Sequence, residues 1–234
     1  MRKHIPNTLT LLNLVSGCIA TIHAFDNSFF YVVIWVLVAA VFDFLDGFAA
    51  RILHVPSPIG KELDSLADVV SFGVAPAMAV FSLLRSSHYP GFLPPAVEAY
   101  IPYLAFIIPA FSALRLAKFN LDERQTSSFI GLPTPANALF WISYCCFGMQ
   151  GIALNSSFVG ITLGFILVLS LLLVSEIPMF SLKIKTFGFK GNEKQALLIA
   201  IAIVFLSLWG VAGIAGVILV YIGISIVSAL LGKR

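Results

Sequence analysis

Residues 29–50 form an apolar run whose only charges are two carboxylates, Asp43 and Asp46. A helix needs about 20 apolar residues to cross a bilayer, so this run is long enough to span one. A carboxylate at that depth is costly unless a cation or a polar partner meets it. Two more carboxylates, Asp64 and Asp68, lie in or beside the next apolar run. The rest of the chain offers little polar surface: 59% of its 234 residues are hydrophobic and 11% are charged. A soluble core of this length cannot hide that much apolar surface, so the solvent of the fold is lipid. The net charge of +3 is small and gives no support to a nucleic-acid partner.

Hydropathy places candidate spans at 8–25, 29–50, 63–84, 99–119, 136–153, 158–178, 195–209 and 212–231. The expected fold is an all-α polytopic membrane bundle of about eight helices, treated as a single membrane domain. The break between the last two spans rests on Gly210, Gly213 and Gly216; without it there are seven. With eight spans, one side of the membrane collects Arg2, Lys3, Arg51, Lys61, Arg115, Lys118, Arg124, Lys183, Lys185, Lys190, Lys194, Lys233 and Arg234. The other side receives Arg85. That asymmetry predicts both termini in the cytoplasm. Met1 to Thr10 reads as a lead-in to the first span rather than a removed signal peptide.

Asp43 and Asp46 are three apart and share a helix face, as do Asp64 and Asp68, four apart. Gly47 and Ala50 extend the first stripe with almost no side chain, leaving room for something flat or bulky against the helix. Pro56, Pro58 and Gly60 favour a break between the two helices, so both pairs can converge across a tight helix–loop–helix. Four converging carboxylates repel unless neutralised. Two divalent ions about 3.5–4 Å apart would neutralise them and clamp a phosphoryl displacement. All-oxygen ligands suit Mg2+ or Mn2+. Arg51, beside the cluster, can form a forked pair with a phosphate. The competing reading of a cation-coupled transporter explains the carboxylates but not Gly47, Ala50 and Arg51 on the same segment.

Asp43-x-x-Asp46-Gly47-x-x-Ala50-Arg51, eight residues, then Gly60-x-x-x-Asp64-x-x-x-Asp68 resembles the signature of the CDP-alcohol phosphotransferase family. The resemblance implies six core helices, a homodimer, and transfer of a phosphatidyl or phosphoalcohol group from a CDP-linked donor to an alcohol with release of CMP. It implies that Asp43, Asp46 and Asp64 hold metal, and that Asp68 touches the second metal and acts as the base. It also implies that Gly47 and Ala50 make room for cytidine and that Arg51 and Ser57 contact phosphates. Gly60 belongs to the same donor site.

Pro6–Leu14, Arg115–Asn120 and Gly131–Ala136, with Pro178 and Lys183, resemble the phosphatidylserine synthase branch of that family. That branch implies CDP-diacylglycerol and L-serine as substrates in a membrane lipid setting, with the resemblance covering most of 5–185 and the helices at 195–231 additional. Arg115 and Lys118 sit within one turn of each other and suit the serine carboxylate; the alternative is that they anchor a helix end. Asn7 and Thr10 can bond the cytidine or phosphates, or cap the first span. Asn13 is deeper and needs a partner, in the pocket or on another helix. Glycerol phosphate and inositol phosphate are the rival acceptors.

Other features read as structural. Cys18, Cys145 and Cys146 lie in apolar runs with neither disulfide nor zinc spacing and read as small buried hydrophobes. Gly160 and Gly164 form a small-xxx-small pair suited to close helix packing. Trp35, Trp141 and Trp209 read as lipid-facing or interfacial.

Overall fold

The computed structural model describes residues 4–55, 57–87, 89, 94–122, 129–148, 156–180 and 192–231. Among these, the helices are α1 (His4–Phe25), α2 (Phe29–Ile52), α3 (Pro58–Arg85), α4 (Pro95–Leu121), α5 (Thr134–Gly148), α6 (Ser156–Leu173), α7 (Glu193–Trp209) and α8 (Gly213–Leu231). Five helical stretches are long and apolar enough to cross a membrane: α1, α2, α3, α4 and the continuous stretch Glu193–Leu231 that holds α7 and α8. The fold is therefore an all-α polytopic membrane bundle. Of the expected loop charges, Arg2, Lys3, Arg124, Lys183, Lys185, Lys190, Lys233 and Arg234 lie outside the described residues, as does Pro56.

A tight turn joins α1 to α2. Asn27 takes a left-handed conformation (φ 57°), which asparagine tolerates better than most residues. The Ser28 amide bonds the His23 carbonyl at 2.9 Å, and the rings of His23 and Tyr31 stack with centroids 5.2 Å apart. The two helices then run antiparallel.

The central element is α3. In its most apolar stretch 72% of positions are buried, against 17–33% in the other membrane-length stretches. It opens on Ser57, whose hydroxyl accepts from the Gly60 amide at 3.0 Å, with proline at the first helical position. Immediately after Asp68 the helix widens into a π turn over Val69–Val74, then returns to α geometry from Ala75. The wide turn packs against α1: the Ser71 hydroxyl donates to the Asn13 carbonyl at 2.9 Å. Gly17 makes this approach possible, because a Cβ there would lie 2.7 Å from the Ser71 Cα.

On the other side of α3, Gly73 lies against Pro109 and Ser112 of α4. Nearer the start of α3, Asn120 donates to the Ser65 hydroxyl at 2.8 Å. The two helices are thus antiparallel. Gly148 at the end of α5 packs on Leu83 of α3, so α5 runs parallel to α3. A two-residue ladder, Phe129–Ile130 with Pro178–Met179, ties the start of α5 to the end of α6 and is the one departure from helix pairing among the described residues.

The chain reverses after α7 at Gly210, whose φ of 57° and ψ of −139° suit glycine alone. Gly213 and Gly216 then rest on Phe205, which a continuous helix would hold more than two turns away.

Three expectations need correction. Trp141 is fully buried among Phe140 and Tyr144 rather than facing lipid. Gly160 and Gly164 both face open space, so among the described residues their small surface packs against no other helix. Cys18 is exposed on α1, unlike the buried Cys145.

Candidate active site

Helix geometry brings three carboxylates to one point. Asp43 projects from the second half of α2, and Asp64 and Asp68 share a face of α3. One oxygen from each of the three lies within 4.8 Å of the other two. Asp68 is buried, and Asp43 and Asp64 are partly so.

The α1 helix closes the cluster from the side. Thr10 donates to Oδ2 of Asp46 at 2.5 Å, and Asn13 donates from Nδ2 to Oδ1 of Asp68 at 3.2 Å. These residues are three apart on α1 and reach two different helices, so α1 sets the spacing between α2 and α3 at the site. Asp46 is outside the trio; it is buried and held by Thr10.

Next to the trio lies a pocket of about 250 Å³ whose walls include Asn7, Thr10, Asp46, Gly47, Ala50, Ser57, Gly60, Lys61 and Asp64. Gly47 leaves its side of the helix open, with no atom within 4 Å of a Cβ placed there. Gly60 is tight: its Cβ would meet the Ser57 hydroxyl at 2.9 Å and the Asn7 side-chain oxygen at 3.2 Å. Arg51 is exposed and does not line this pocket; its Nε donates to the Gly47 carbonyl at 2.9 Å.

A second pocket, of about 390 Å³, opens between the ends of α4 and α6 and includes Arg115, Lys118 and Glu176 in its wall. Arg115 is buried, donates to the Thr134 hydroxyl at 3.2 Å and lies over the Phe119 ring at 5.5 Å. Lys118 is exposed and reaches the Val174 carbonyl at 3.4 Å. On α4, Arg115 falls between Ser112, which is beside Gly73, and Asn120, which is beside Ser65. That register puts it level with Asp68. Asn13, expected to meet either the pocket or another helix, contacts the Asp68 carboxylate of α3.

The donor set fits divalent cations. It is all oxygen, which suits a hard ion. Oδ1 of Asp64 and Oδ1 of Asn13 are buried with no hydrogen-bond partner, so acceptor capacity remains at the trio.

The profile of the CDP-alcohol phosphatidyltransferase family matches residues 3–227. The chain belongs to that family. Its similarity extends to individual members. It is 34% identical over 206 residues to the CDP-diacylglycerol–serine O-phosphatidyltransferase of Helicobacter pylori, covering 87% of this chain and 80% of that protein. It is 34% identical over 134 residues to the protein of the same name from Bacillus subtilis, covering 57% of this chain and 70% of the relative. The archaetidylserine synthase of Methanothermobacter thermautotrophicus is 31% identical over 172 residues, covering 71% of this chain and 68% of the relative.

Two groups of polar residues at or near these pockets have no role expected from the sequence. Lys61 lines the pocket beside Gly60 and reaches the Asn120 carbonyl at 2.8 Å; it had been counted as a loop charge. Thr134, Asn137 and Ser112 are buried polar side chains at the Arg115 level or one turn deeper. The signal for Thr134 and Asn137 was their spacing of three at the start of an apolar helix.

Proposed function

We propose that this chain transfers the phosphatidyl group of CDP-diacylglycerol to the hydroxyl of L-serine, giving phosphatidylserine and CMP. The observation that carries the reading is the convergence of Asp43, Asp64 and Asp68 within 4.8 Å beside an open pocket. Family membership supports the chemistry, and the serine-using names of the relatives support the acceptor.

In this reading the donor's acyl chains stay in the bilayer and its diphosphate lies against the carboxylate cluster. Gly47 and Ala50 give the cytidine its space. Asn7, Thr10, Arg51, Ser57 and Gly60 bind the donor's polar part. Asp43, Asp46, Asp64 and Asp68 would hold two divalent ions, Mg2+ or Mn2+, whose chemistry when bound is to neutralise the diphosphate and stabilise charge on the departing CMP.

Asp68 takes the proton of the serine hydroxyl, with Asn13 fixing its carboxylate. The serine oxygen bonds to the phosphorus that carries the diacylglycerol. The bond from that phosphorus to the bridging oxygen breaks, and its electron pair leaves with CMP. Arg115 and Lys118 hold the serine carboxylate at the level of Asp68.

The remaining parts of the proposal concern placement. Eight crossings put both termini and the site on the cytoplasmic face; the grouping of Arg51, Lys61, Arg115 and Lys118 at one end, with Arg85 at the other, supports this. A homodimer follows from the family resemblance.

The test is CMP release from CDP-diacylglycerol by purified protein in detergent with added Mg2+ or Mn2+. L-serine, glycerol 3-phosphate and inositol phosphate are offered separately. Release only with serine is the expected result. Release driven by a phosphorylated alcohol and not by serine removes the acceptor assignment, and no release with any alcohol removes the enzymatic reading.

A further inference from the structure

Directly beneath Arg115, the membrane interior holds several polar atoms with nothing to bond. Both side-chain polar atoms of Asn137 are buried without a partner, as are the Ser112 hydroxyl, the Trp141 indole N–H and Nε of Arg115 itself. Asn137 is 1% exposed and Trp141 and Ser112 are 0% exposed. Because both ends of the Asn137 amide are unpartnered, the observation does not depend on which is oxygen and which nitrogen. Unpaired polar groups surrounded by hydrocarbon are strongly unfavourable, so they signal a polar guest.

The arrangement is layered. Arg115 and Thr134 are joined by a hydrogen bond at the level of Asp68. Ser112 is three residues before Arg115 on α4, and Asn137 three after Thr134 on α5, so each drops one turn from that layer on the same face. Trp141 continues the α5 stripe another turn down. The parallel course of α5 and α3, shown by Gly148 on Leu83, puts this second layer about 4.5 Å deeper than Asp68. A hydroxyl held at Asp68 and an amino-acid head two carbons away match that step.

We infer that Asn137 is a specificity-determining residue of the acceptor site, recognising the ammonium group of a zwitterionic hydroxy amino acid whose carboxylate is taken by Arg115. This deepens the serine reading above and rests on it. The chemistry is selective. A carboxamide offers an acceptor to an ammonium and a donor to a carboxylate at once. A phosphorylated polyol offers the Asn137 oxygen only neutral hydroxyl donors, weaker partners than an ammonium. A site built around such a hydrogen bond rejects an analogue lacking the partner, because the protein group is then left unpaired.

The test compares serine with 3-hydroxypropanoate, which keeps the hydroxyl and carboxylate and lacks the ammonium. The readout is the ratio of the analogue's inhibition constant to the KM for serine, with the KM for CDP-diacylglycerol followed in parallel. In Asn137→Leu the ratio falls by about tenfold or more, the loss expected for a hydrogen bond to a charged group. The donor KM changes little. Asn137→Asp keeps the acceptor and adds charge, so its ratio stays at or above that of the wild type; it also serves if the leucine variant does not fold. A ratio unchanged in Asn137→Leu, or lost equally in both variants, overturns the inference while leaving serine as the acceptor. A wild-type protein that ignores serine and uses another alcohol overturns both.

Discussion

Asn13 of α1 donates a hydrogen bond to the Asp68 carboxylate of α3 at 3.2 Å, while its own carbonyl accepts from Ser71 one turn further along the same helix. A single residue of α1 therefore holds both the Asp68 carboxylate and the wide turn beneath it. Asn13→Leu removes the side-chain bond and leaves the backbone one. The expected result is a kcat lowered by about ten- to a hundredfold, the range for a hydrogen bond to a charged group. Steady-state CMP release measures it; a kcat within twofold of wild type would show that Asp68 needs no such support.

Asp68→Asn keeps the size of the side chain and removes its basicity. General-base help is worth roughly 10²–10⁴-fold, so turnover falls by that order. Binding of CDP-diacylglycerol, followed by calorimetry, stays close to wild type. A near-normal rate removes Asp68 from the base role.

Asp43→Asn and Asp64→Asn act on the trio itself. Each removes one charged oxygen ligand, so the divalent ion concentration giving half-maximal activity rises by at least about tenfold, the order seen when even supporting groups of a metal site are lost. Chelation abolishes wild-type activity, and Mg2+ or Mn2+ restores it. Metal titration of each variant checks both statements.

Arg115→Ala separates the two substrates. The side chain is buried at the second pocket and bonded to Thr134, away from the walls described around Gly47. The KM for serine rises by about tenfold or more and the KM for CDP-diacylglycerol shifts far less. Equal shifts would contradict two separate subsites.

Gly17→Ala probes the packing that holds α1 against α3. The added carbon would sit 2.7 Å from the Ser71 Cα, which cannot move without displacing the wide turn. Overpacking of this kind costs typically about 1–3 kcal/mol. The expected result is a lower Tm in detergent together with reduced activity, since the same contact positions Asn13 and Asp68.

The aspartate spacing made the site legible because carboxylate, glycine and alanine positions on two short stripes are constrained by local helix geometry alone. The helix positions were legible for the same reason: apolar runs of membrane length have few alternative folds. What lay beyond reach was set by neighbours distant in sequence. Thr10 and Asp46 are thirty-six positions apart, and nothing local distinguishes capping of α1 from a bond to α2. Trp141 was misread because burial inside a bundle and exposure to lipid both select apolar aromatic residues. Gly160 and Gly164 differ in the opposite sense: a small-residue pair permits close approach, but among the described residues no other helix approaches it. The π turn had no signature at all in Val69–Val74, since widening depends on the packing of Gly17 and Ser112 against it.

That widened turn divides α3 into an acidic upper part and an anchored lower part, Phe72 to Leu84 being mostly buried. Each residue advances an α-helix by about 100°. The widened turn absorbs one extra residue, so regular α geometry through all six residues of 69–74 would swing Asp64 and Asp68 by roughly that angle relative to the fixed lower part. The aspartates would then face away from Asp43 even with every motif residue intact. The widened geometry of this segment is thus as binding a requirement as the identity of any side chain in it.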